Sequence, residues 1–131
     1  MTPQREEAAR MLRLARRDQA ACSVLLGAPG VGLSVALFHA QQAAEKALKA
    51  VMCLRGLEYR RTHDLEELAT QLANAGTAPT VEKIELRRLT PYAVEFRYDD
   101  EAAQLLTGGQ AQTMVAALID WAAAQLDSGS P

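Results

Sequence analysis

Four residues on one stretch of this chain could bind a charged ligand: His39, Gln42, Lys46 and Lys49. Placed on a helix at about 100° per residue, they fall together on one side. Opposite them lies an apolar stripe of Leu33, Ala36, Leu37, Ala40, Ala44, Ala47, Leu48 and Val51. Ammonium and amide donors in such a row are the groups that hold phosphate oxygens, and an imidazole can donate, accept or carry charge near neutrality. Further along, His63 adds a second imidazole. Arg97 adds a guanidinium able to fork onto a phosphate, and Tyr98 adds a ring able to stack on a base. Each residue also has a plainer reading. Lysines belong on wet helix faces, Gln42 and Lys46 are simply i,i+4 neighbours, His63 between Thr62 and Asp64 can fix a loop, and Arg97 can pair with an acid such as Glu45.

The elements that must position these groups are helical. Apolar residues at Ala8, Met11, Leu12, Ala15, Cys22 and Leu25 recur with the 3.6-residue period and predict a first helix over 5–26, stopped by Gly27-Ala28-Pro29-Gly30. A second, carrying the row above, is expected over 31–55 with Gly56 as its left-handed cap. Thr62 is the expected N-cap of a third, with Asp64, Glu66 and Glu67 favoured by the helix dipole and an end near Asn74-Ala75-Gly76. A fourth starts at Thr80, faces Val81, Ile84 and Leu89 inward, and breaks at Pro91. The segment 92–98 reads as a short turn or extended chain. Thr107-Gly108-Gly109-Gln110 has the form of a capping box, opening a last helix with Ala111, Met114, Val115, Leu118, Ile119, Ala122 and Leu126 on one face. Long amphipathic helices joined by short loops imply an all-α, antiparallel up-and-down bundle. A single domain is expected over 1–131, with its core at about 8–126.

Composition bounds the remaining options. The chain has 131 residues, 49% hydrophobic and 5% aromatic, with a net charge of -2. Residues 1–61 carry ten Lys/Arg against five Asp/Glu, whereas 99–131 carry five acids and no base, a split that could give one basic and one acidic face. Arg10, Arg13, Arg16 and Arg17 read as an exposed ridge. Two cysteines at apolar-periodic positions read as buried free thiols, and two cysteines with two histidines leave too few ligands for a dedicated zinc site. No cofactor is expected. Residues 28–32 lack the lysine and hydroxyl residue of a phosphate loop. No apolar run reaches membrane-spanning length, and the charged opening lacks the apolar segment of a signal peptide, so a cytoplasmic setting without membrane association is expected.

Three separated pieces then align: Phe38-His39-Ala40-Gln41-Gln42-Ala43-Ala44-Glu45-Lys46-Ala47-Leu48-Lys49-Ala50, Thr62-His63-Asp64-Leu65, and Pro91-Tyr92 followed by Arg97-Tyr98. Together they resemble the HEPN domain family, of the small prokaryotic type associated with nucleotidyltransferases. The resemblance implies a bundle of four main helices plus a short one and a homodimer. It also implies a minimal nucleotidyltransferase partner in a toxin–antitoxin-like system. Many members of the family are metal-independent ribonucleases marked by an arginine, four to six intervening residues, then a histidine. That pair is absent here: Arg55 precedes His63 with seven residues between, Arg60 with two and Arg61 with one, and no arginine is within range of His39. Asp99 also stands after Arg97-Tyr98, where the subgroup usually has proline.

The reading is therefore a nucleotide- or RNA-binding module, with His39, Gln42, Lys46, Lys49, His63, Arg97 and Tyr98 as ligand-binding residues and no catalytic or metal-ligating set. One alternative is a ribonuclease using His63 or His39 with a non-standard arginine; another is a helical interaction scaffold without ligand. Val35 and Phe38, apolar on the polar side of the second helix, point to a covering partner such as a second copy.

Overall fold

The computed structural model describes residues 2–59, 61–93 and 106–128. Among them are five α-helices and one 3-10 turn, with no strand: α1 (Pro3–Leu26), α2 (Leu33–Leu54), α3 (Leu65–Asn74), α4 (Lys83–Leu89), the 3-10 turn Thr90–Ala93, and α5 (Gly108–Ser128). No helix among the described residues is long and apolar enough to cross a membrane.

α2 packs against every other element. Its alanines at 36, 40, 43, 44, 47 and 50 are all buried, as are Leu37, Leu48, Val51 and Met52. Alanine favours helix at no side-chain entropy cost, and its short side chain lets neighbouring backbones approach closely. α1 supplies Ala8, Met11, Leu12, Ala15 and Cys22, and α5 supplies Ala111, Met114, Val115, Leu118, Ile119, Trp121 and Ala122. α1 runs opposite to α2. Gln4 lies beside Gly56, and Asp18 meets His39 and Lys46. It runs opposite to α5 as well, since Arg5 donates to the Leu126 carbonyl at 2.6 Å while Gln112 donates to Ser23 at 3.2 Å.

Local chemistry sets the ends. Thr2 caps α1 by accepting from the Arg5 amide at 3.1 Å, with Pro3 in the first turn. α2 closes at Gly56, φ 68°, where the Gly56 amide reaches the Cys53 carbonyl and the Leu57 amide reaches Met52 at 2.9 Å. This double bond with glycine in the left-handed region is a Schellman closure. Thr107 and Gln110 exchange backbone and side-chain bonds at 2.8 and 3.1 Å, the expected capping box of α5.

Two expectations need correction. The cap of α3 is Asp64, whose carboxylate accepts from the amides of Glu66 and Glu67 at 3.0 and 3.2 Å. Thr62 instead accepts from the Asp64 amide and sets that cap in place. The fourth helix begins at Lys83, not Thr80, and Ile84 is 54% exposed. Leu86 and Leu89 are the buried pair, and at about 100° per residue Ile84 falls on the far side from both.

Candidate functional site

The polar side of α2 is organised by two carboxylates that the sequence reading did not assign to it. Asp18, from α1, accepts from His39 Nδ1 at 3.0 Å through one oxygen and from Lys46 Nζ through the other. Glu45, on the flank of α2, takes His63 Nδ1 at 2.8 Å on Oε1 and Lys49 Nζ at 2.8 Å on Oε2. Each carboxylate therefore holds one imidazole and one ammonium. The i,i+4 order with Glu45 before Lys49 is the favourable one along a helix.

Gln41 ties this arrangement to the chain before α3. Fully buried, it donates from Nε2 to Glu45 Oε1 at 3.1 Å and to the His63 carbonyl at 3.0 Å, and accepts from Gln42 at 2.8 Å. His63 is thus held twice, by its backbone and by its ring, which fixes the stretch that enters α3. The Lys49 ammonium also lies 4.9 Å from the centre of the Tyr59 ring, a cation–π contact. Phe38 and His39 meet edge to face, 5.2 Å between ring centres, at the other end of the row.

Burial alone would raise the Glu45 carboxyl. Hydrogen bonds from Lys49, His63 and Gln41, with the charge of Lys49, outweigh that and hold it below the ordinary carboxylate value. With both imidazoles neutral, two lysines and two carboxylates cancel, so this face is rich in charge but close to neutral overall. Unneutralised charge lies on α1: Arg13, Arg16 and Arg17 are exposed and have no described partner, while Arg10 is bonded to Glu7 at 2.6 and 2.9 Å.

The expected residues therefore divide. His39 and Lys46 meet on Asp18, and Lys49 and His63 meet on Glu45. Gln42 borders the second group through Gln41, and no described hydrogen bond joins Lys46 to His63. Arg97 and Tyr98 lie outside the described residues. Asp18, Gln41, Glu45 and Tyr59 complete the site. The signals for them were present in the sequence. Gln41 and Glu45 are polar residues beside the apolar stripe of an alanine-rich helix, and Asp18 is a lone acid closing an arginine run. Among the described residues, no group of three or more His, Cys, Asp or Glu is placed to hold a metal ion.

Comparison with known proteins gives a family model described as HEPN domain that matches residues 5–122. No curated protein and no solved structure matches the chain.

Proposed function

The chain belongs to the HEPN domain family, and from that premise we propose that it is a nucleotide- or RNA-binding module acting as a homodimer. A minimal nucleotidyltransferase is its partner, in a prokaryotic toxin–antitoxin-like system. In this reading its helices form one domain, an antiparallel up-and-down bundle of four main helices and a short one.

The observation that carries the reading is the pair of lysine–imidazole sets on the α2 face, each oriented by one buried or half-buried carboxylate. A lysine held by a carboxylate keeps further N–H donors for a phosphate. The imidazoles and Gln42 would orient the rest of the ligand, with Arg97 and Tyr98 added by resemblance. Val35 and Phe38, half-buried on the same face, favour a second copy packing nearby.

Titration calorimetry with nucleoside mono- and triphosphates and with short RNAs tests this. Binding that weakens about tenfold or more in Lys46→Ala or Lys49→Ala supports it, a loss in the range of a charged hydrogen bond. If both variants leave every isotherm unchanged, the site is wrong and an interaction scaffold remains. Sedimentation of the wild type tests the dimer.

A second reading, a metal-independent ribonuclease, is favoured by the carboxylate–imidazole pairs Glu45–His63 and Asp18–His39, the orientation a general base needs. Cleavage of labelled RNA that disappears in His63→Ala or His39→Ala, but persists in Arg88→Ala as a surface control, would establish it over simple binding.

A further inference from the structure

The two imidazoles are committed in the same way, and the commitment fixes what they can offer a ligand. An ionised carboxylate accepts hydrogen bonds and donates none. The nitrogen facing it must therefore carry the proton. In His63 that nitrogen is Nδ1, 2.8 Å from Glu45 Oε1, and in His39 it is Nδ1, 3.0 Å from Asp18 Oδ1. In the neutral ring the other nitrogen, Nε2, then has only a lone pair. The His63 side chain is 57% exposed, and Nε2 has no described partner. Glu45, largely buried and held by two further donors, cannot readily turn away and release this orientation.

An outward lone pair repels a phosphate oxygen and accepts from a hydroxyl. Beside it, Lys46 and Lys49 offer only donors. A surface that alternates ammonium donors with imidazole acceptors matches a sugar–phosphate backbone whose sugars carry a hydroxyl donor next to each phosphate. The hydroxyl that meets this description is the ribose 2′-OH, the group by which a protein distinguishes RNA from DNA. Resting on the nucleic-acid reading above, we propose that His63 is a specificity-determining residue whose Nε2 accepts a hydrogen bond from a ribose 2′-hydroxyl, so that this face selects ribonucleotide over deoxyribonucleotide ligands.

The test uses one short single-stranded oligonucleotide of adenine and cytosine, prepared with 2′-hydroxyl, 2′-deoxy and 2′-O-methyl sugars. Binding is followed by fluorescence anisotropy with the full chain. The wild type is expected to bind the ribo form about 3- to 10-fold more tightly than either other form, the range of one hydrogen bond lost at a partly exposed site. The 2′-O-methyl form keeps the oxygen and loses the donated proton, so it should behave as the deoxy form does. In His63→Phe, which retains a flat ring and removes both nitrogens, the three forms should bind equally while the lysines still hold phosphate. His63→Ala repeats the measurement should the larger ring disturb packing, and a thermal melt confirms that each variant is folded.

Three results would overturn the proposal. Equal wild-type binding of all three forms would refute the hydroxyl contact while leaving the nucleic-acid reading intact. A ribo preference that persists in both His63 variants would place the discrimination elsewhere and leave His63 a purely structural clamp. No binding of any form would defeat this inference and the reading beneath it together.

Discussion

Replacing Glu45 by alanine tests the framework of the site most directly. Its side chain is 8% exposed and accepts three hydrogen bonds, from Lys49, His63 and Gln41. Removing it strands the Lys49 ammonium, itself only 13% exposed, without its counter-ion, and leaves Gln41, fully buried, with the His63 carbonyl as its remaining acceptor. Breaking a buried pair from one side costs about 3–5 kcal/mol. The His63 bond adds little, because that ring is mostly in water, and the Tyr59 face still offers Lys49 a partial partner. The expected loss is therefore about 3 kcal/mol, a drop in Tm of roughly 10 °C for a chain of this size. Urea unfolding at neutral pH measures it. The decisive comparison is a double-mutant cycle. Lys49→Met alone also strands a charge, but Glu45→Ala with Lys49→Met removes both, so the double variant should be less destabilised than the two singles summed, by about 2 kcal/mol. Additive losses, or a Glu45→Ala variant within about 1 kcal/mol of wild type, would show that the pair is not coupled as its geometry implies.

Acid should weaken the fold through the same residue. The folded-state value of Glu45 is depressed from its usual 4.5, so its contribution is present above that value and is lost as pH falls through the lower folded value. The urea midpoint should fall as pH drops from neutrality to about 3, and fall less steeply in Glu45→Gln; parallel slopes would refute the assignment. At the start of α3, Asp64→Ala should cost about 1 kcal/mol and Thr62→Ala clearly less, because Asp64 alone satisfies two orphan amides of the helix. Chemical denaturation ranks them, and the reverse order would restore Thr62 as the cap.

The fold was legible where periodicity and punctuation agreed. The alanine stripe of α2, the apolar positions of α1, the glycine closing α2 and the Thr107–Gln110 box each follow from local rules that tertiary contacts reinforce. The entry to α3 was misread because Thr62 and Asp64 are both good caps, and only the backbone path decides which carboxylate or hydroxyl meets the free amides. α4 was misplaced because seven residues carry too little period to fix a face. In the site, the donors could be found from one helix alone. Their acceptors could not, since Asp18 arrives from a different helix and His63 from a loop. Which cation meets which acid is a fact of packing, invisible to spacing along the chain.

The alanine seam of α2 reaches beyond the interior it fills. With only methyl groups between them, the backbones of α1 and α2 interlock at one longitudinal setting, and that setting alone brings Asp18 level with His39 and Lys46. A slip of a single helical turn, about 5.4 Å, would part the acid from both. The dry side of the helix thus acts as a gauge for the wet side. A bulkier residue at Ala40 or Ala44 would detune the polar face without touching any of its members.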